Sequence, residues 1–193
     1  MRTYPMAKQL LALTPALQDF IGRQPMFFVG TAAPNGRVNL SPKGLDSLRV
    51  MGPSRVAWLN VTGSGNETAA HLLQHPRMAL MFCAFEGPPL ILRLYGQART
   101  VQPDSPDWAE WAALFPALPG MRQVFVLDLD LVQTSCGMAV PRLDYREQRE
   151  ELNVWAKSRT PEGLQEYRQL KNRVSIDGFP TGLPVTEAAR TPD

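Results

Sequence analysis

Between residues 26 and 134 the chain is a succession of short apolar runs, each closed by glycine, proline or small polar residues. That punctuation constrains the fold more than any other feature. The runs cover 26–33, 37–41, 47–51, 55–61, 78–85, 90–101 and 122–134, and several alternate with period 2, as half-buried strands do. They lack the regular strand–helix alternation that a parallel sheet requires. Seven such strands predict a mainly β, α+β fold: one antiparallel sheet closed into a barrel and flanked by helices. Between the first two runs lies Pro34-Asn35-Gly36, where Asn35 and Gly36 are expected to supply the positive φ angles of a hairpin turn.

Helical spacing occurs outside and between these runs. Leu10, Leu13, Leu17 and Phe20/Ile21 predict a leading helix over 6–24, broken near Pro15. A short helix should follow Asn66. Another should start at Ser105-Pro106, with Ser105 as cap, proline in the first turn, and Trp108, Trp111 and Phe115 on one face. From Asp144 the chain becomes charged and helical, and Thr160-Pro161 repeats the cap-plus-proline signal. The expected organisation is one domain over 1–193, with a helical extension of it over 143–175 and a frayed last dozen residues.

Composition removes several function classes. The longest uninterrupted apolar stretch, 78–85, is far below the ~18 residues of a membrane span. Tyr4, Pro5, Lys8 and Gln9 interrupt the place where a secretory signal would be apolar, so a cytoplasmic protein is expected. Cys83 and Cys136 are too few for a disulfide framework and read as reduced thiols. The net charge of +2 comes from Lys and Arg interleaved with Asp and Glu, which argues against a nucleic-acid surface. His71 and His75 stand at i and i+4, but Leu72 occupies the Glu position of H-E-x-x-H, so no metal site is expected.

Three places could carry chemistry. Alternation along 37–43 puts Arg37, Asn39 and Ser41 on one face opposite Val38 and Leu40, with Lys43 just beyond. By the usual pattern the polar face is the solvent face. In 90–101, Arg93 interrupts an aliphatic run and requires a partner, either an acidic side chain or an anionic ligand. The segment Thr62-Gly63-Ser64-Gly65-Asn66-Glu67-Thr68 passes from a strand into a helix whose first N–H groups suit a phosphate. Taken alone, it reads equally as a turn in which Asn66 is an ordinary N-cap and Glu67 a first-turn acid.

Taken in order, GRVNLSPKG (36–44), AWLNVTGSGNETAAHLLQHPRMALMFCAFEG (57–87) and ILRLYGQARTV (91–101) resemble the pyridoxamine 5′-phosphate oxidase-like family of FMN-binding split β-barrels, over about residues 20 to 135. The resemblance implies a homodimer with FMN at the subunit interface and a small-molecule substrate or electron donor. Its phosphate would be held by Arg37, Asn39, Ser41 and Lys43 from one strand and by Thr62, Ser64, Asn66 and Thr68 from the loop. Asn60 and Arg93 complete the candidate cofactor-binding set. Where the true oxidases carry Ser-Arg-Lys, this chain has Asn66-Glu67-Thr68, and it lacks their Trp- and Arg-containing ending, which directs the reading away from vitamin B6 oxidation. The expected function is an FMN-dependent oxidoreductase of unassigned substrate, with no catalytic side chain singled out. The alternatives are deazaflavin F420 in the same fold, or a non-enzymatic flavin- or haem-binding protein.

Overall fold

The computed structural model describes residues 7–184; Met6, the first residue of the expected leading helix, and most of the expected frayed end lie outside them. The strands are β1 (Lys8–Leu10), β2 (Phe27–Thr31), β3 (Asn39–Lys43), β4 (Leu48–Val50), β5 (Arg55–Val61), β6 (Arg77–Cys83), β7 (Ile91–Val101) and β8 (Met121–Ser135). The helices are α1 (Pro15–Gly22), α2 (Glu67–Gln74), α3 (Trp108–Ala112), α4 (Glu151–Lys157) and α5 (Pro161–Lys171). All named strand pairs are antiparallel, in the order β3-β2-β6-β7-β8-β5-β4, with β1 added to β8. The seven expected strands are all present in one curled antiparallel sheet with flanking helices, the split-barrel architecture.

The core explains why the sheet curls. Strand β5 is buried on both faces: Val56 and Trp58 join one apolar cluster, Ala57 and Leu59 a second. The first cluster fills the concave side, where Trp58 packs against Phe125 with ring centroids 4.6 Å apart and Phe27 against Phe82 at 5.9 Å. The second is covered by Trp108, Trp111 and Phe115 from α3 and the segment after it. Along β7 the alternation is as the sequence predicts, with Leu92, Leu94 and Ala98 buried. A register shift after Tyr95 brings Gly96 so close to β8 that a Cβ there would stand 1.9 Å from the Asp128 carbonyl oxygen. Only glycine fits that approach.

Four local expectations are corrected. Residues 8–10 form a strand on β8 and the helix begins only at Pro15, capped by Thr14, because edge pairing with 132–134 offers Leu10 burial that an isolated turn would not. The β2–β3 connection spans residues 32–38; Gly36 takes φ +95° but Asn35 does not take a positive φ, so this is a longer loop, not a two-residue turn. Helix α3 starts two residues late: the Ser105 hydroxyl accepts from the Gln102 amide instead of capping it. Residues 144–149 are not helical, and α4 begins at Glu151. Thr160 caps α5 as the sequence predicts, accepting from the Gly163 amide at 3.1 Å.

Candidate functional site

Strands β3 and β5 stand near opposite ends of the sheet order, yet both line one cavity of about 360 Å³, which the curl closes between them. That volume is within the ~300–1,000 Å³ of small-molecule sites. The barrel interior turns polar here at paired positions. Trp58 faces Phe125 across the β5–β8 ladder, whereas the next inward pair is Asn60 and Gln123, joined by an amide–amide hydrogen bond of 3.3 Å.

Of the sequence-derived candidates, Asn39, Ser41, Lys43, Asn60, Ser64, Asn66 and Thr68 line this cavity. Strand β3 is oriented against the usual pattern: Val38 and Leu40 are 77% and 67% exposed, while Asn39, Ser41 and Lys43 turn inward. The polar-out expectation for this strand is therefore reversed. Asn39 Nδ2 donates to Thr31 Oγ1 at 3.0 Å and Thr68 Oγ1 at 3.2 Å, tying the strand to the first turn of α2. Lys43 Nζ lies 5.4 Å from the centre of the Trp58 ring. Burial first, and the neighbouring Arg122 second, push the Lys43 ammonium down to about 8.

The loop before α2 does not behave as an ordinary capped turn. Asn66 occupies the N-cap position and is 2% exposed, but its side chain makes no cap hydrogen bond, and neither Nδ2 nor Oδ1 has a partner. Buried amides are normally satisfied, because desolvating one without compensation costs roughly 1–3 kcal/mol. The uncapped helix start thus leaves backbone donors and a free side-chain amide together at the cavity wall. Glu67, on the same turn, is engaged elsewhere: both carboxylate oxygens accept from the Ile176 amide.

Three candidates lie apart from the lining. Thr62 is buried behind the loop, donating to the Gly120 carbonyl and accepting from Arg168 Nε at 2.8 Å. Arg37 is ion-paired with Asp177 at the surface, where first the Arg37 backbone N–H and then its guanidinium hold the Asp177 carboxyl below its usual range. Arg93 finds a neutral partner instead of an acidic one, donating to Ser135 Oγ at 3.0 Å. The histidines are separately occupied: His71 Nδ1 bonds Thr31 Oγ1 at 3.1 Å and His75 Nδ1 accepts from the Arg77 amide.

The residue that sequence reasoning missed is Arg122. It is 2% exposed at the start of β8 and lines the same cavity as Lys43. Nη1 donates to Asn172 Oδ1 at 2.5 Å and Nη2 to the Gly65 carbonyl at 3.0 Å, while Nε has no partner. Burial and the nearby Arg168 lower its guanidinium to about 9, so it stays charged at neutral pH. Among the described residues, neither Lys43 nor Arg122 pairs with a carboxylate. A strand-end arginine before an apolar run ordinarily reaches water, and both of its partners, Asn172 and the Gly65 carbonyl, are 50 or more residues away in sequence.

The curled sheet with a cavity between its two ends defines a split-barrel protein whose cavity is lined by two buried or half-buried cations, Lys43 and Arg122. Residues 13–136 match the family model described as pyridoxamine 5′-phosphate oxidase. The pyridoxamine 5′-phosphate oxidase family protein ustO of Aspergillus flavus is 37% identical over 187 residues, covering 88% of this chain and 75% of that protein. The chain belongs to the pyridoxamine 5′-phosphate oxidase family. Among solved structures, HupZ of Group A Streptococcus superposes with a TM-score of 0.50 at 20% identity, covering 62% of this chain and 91% of that one. A Clostridium acetobutylicum protein related to general stress protein 26 of B. subtilis gives a TM-score of 0.50 at 14% identity, covering 69% and 92%. At these identities the likeness is one of fold.

Proposed function

We propose that the cavity holds the phosphate end of a flavin nucleotide, FMN, and that the protein is a flavin-dependent oxidoreductase of unassigned substrate. The observation that carries the reading is the buried, unpartnered Asn66 amide at an uncapped helix start, in the lining of a cavity that Lys43 and Arg122 also line. Two cations without a carboxylate partner, backbone donors and a free amide fit a phosphate better than an uncharged ligand, since a buried charge is stable only with an opposite charge or strong hydrogen bonds. Ser41, Ser64 and Thr68 add hydroxyls to the same wall.

A bound flavin would supply the hydride or electron transfer. The chain's own residues bind and orient it: Lys43 and Arg122 neutralise the phosphate, Asn66 donates its amide, and Asn60, held by Gln123, adds a further polar group to the wall. Among the described residues the ionisable groups lining the cavity are Lys43, Glu67 and Arg122, so proton exchange during turnover falls to the substrate, to solvent or to Lys43 near its lowered pKa.

The test is the absorption spectrum and mass spectrum of the small molecule retained by the purified protein. Flavin bands with the mass of FMN support the reading. The mass of F420, a haem Soret band, or a protein that neither retains nor takes up added FMN contradicts it. A bound flavin that exchanges electrons with no donor makes the protein a binding module instead of an enzyme.

A further inference from the structure

Helix α5 lies beyond the stretch that the family model matches, yet its C-cap residue, Asn172, bonds two residues that line the cavity, Arg122 and Gly63. Asn172 is completely buried. Its side-chain oxygen accepts from Arg122 Nη1 at 2.5 Å, and its amide nitrogen donates to the Gly63 carbonyl at 2.9 Å. The backbone holds it from both sides, its N–H on the Arg168 carbonyl and its own carbonyl on the Thr181 hydroxyl at 2.6 Å. One side chain therefore fixes both the buried cation and the glycine loop that frames the cavity.

The chemistry of its acceptor is the informative part. A buried arginine is ordinarily matched by a carboxylate. Here the acceptors of Arg122 are an amide oxygen and a backbone carbonyl. The adjacent Arg168 follows the same pattern, with Thr62 Oγ1 and the carbonyls of Gly120 and Met121 as its acceptors. Neutral acceptors orient a guanidinium without cancelling its charge. We propose that Asn172 is a positioning residue that aims Arg122 at the bound anion and, being uncharged, reserves that positive charge for the ligand, so that the segment after residue 136 sets the site's preference for a phosphorylated over an unphosphorylated ligand.

This inference rests on the phosphate reading of the cavity, and the experiment separates the two. Dissociation constants for FMN and riboflavin are measured on the wild-type chain, Asn172→Asp, Asn172→Ala, Arg122→Met and the Arg122→Met/Asn172→Asp pair. The Asp variant keeps the size of the side chain but neutralises Arg122. It is expected to weaken FMN by about 10- to 100-fold, the range of one charge-assisted contact, and to leave riboflavin within about twofold. Asn172→Ala should weaken FMN less, and the pair should bind FMN no worse than Arg122→Met alone, because Asn172 acts through Arg122. Wild-type protein that binds FMN no better than riboflavin overturns the phosphate reading itself. Wild-type protein that prefers FMN, with an Asp variant that keeps the preference or loses both ligands equally, overturns the role of Asn172 alone. If the Asp variant does not fold, the same comparison on Asn172→Ala decides.

Discussion

At the scale of single residues, the site is a set of polar groups that the fold leaves incomplete. Asn66 has the sequence signature of an N-cap and does not cap; Lys43 is a strand-end lysine that is held over Trp58 instead of in water. The sequence marked both residues as candidates because strand alternation and the Gly63–Gly65 loop are local patterns. Arg122 was illegible because its meaning depends on Asn172 and on the curl, neither of which leaves a local trace. Lys43 gives a pH prediction. Its folded pKa of about 8 lies below the unfolded value of 10.5, so the unfolded chain binds more protons between those pH values and stability from this group rises as pH increases through that window. Below pH 8 the full cost is present, about 3 kcal/mol at about 1.4 kcal/mol per pKa unit. Denaturation of wild type and Lys43→Met at pH 7 and pH 10 should show the stability difference between them shrinking by most of that amount; a constant difference would show that Lys43 is solvated. A phosphate that pairs with Lys43 should raise its pKa again, so FMN binding at pH 9 should take up protons, detectable as a buffer-dependent binding enthalpy, while binding at pH 6.5 should take up none through Lys43. Lys43→Ala should weaken FMN roughly 10- to 100-fold, whereas Ser64→Ala, which loses a neutral contact, should weaken it less than about 10-fold.

At the scale of elements, the strands were legible because the apolar runs of β5 and β8 and the alternation of β7 coincide with the two clusters they feed. Strand β3 was legible as a strand but not in its orientation. Its apolar residues face outward because its polar ones line a cavity, an arrangement that local periodicity cannot distinguish from the common one. The start of the chain was misread for a related reason: three residues, Lys8–Leu10, follow the pairing offered by β8 and not their own spacing. The β7–β8 contact is where one atom decides an element. Gly96→Ala would place a methyl 1.9 Å from the Asp128 carbonyl oxygen and must displace backbone, not a flexible side chain. The variant should lose about 3 kcal/mol or more in urea denaturation, at the upper end of overpacking effects. Wild-type stability would show that the bulge between Tyr95 and Gly96 is loose.

At the scale of the whole molecule, the curl of one sheet turns two distant strands into the walls of a single cavity, and the helices after residue 150 hold its loop in place. Trp108 and Trp111 cover the chain's own second cluster. The exposed Leu40 of the terminal strand β3 and Val38 just before it offer a reason to expect a homodimer, since an apolar sheet edge is seldom left bare. Sedimentation should give twice the 21.5 kDa of the chain at micromolar concentration, and a monomer with cofactor bound would exclude the dimer. The site itself is tested most directly by titrating the wild-type protein, stripped of small molecules, with FMN and with riboflavin at pH 7. With Lys43 and Arg122 each contributing a charge-assisted contact, FMN should bind at least about 100-fold more tightly than riboflavin. Equal affinity for the two, or binding of neither, would contradict a phosphate site between β3 and the start of α2.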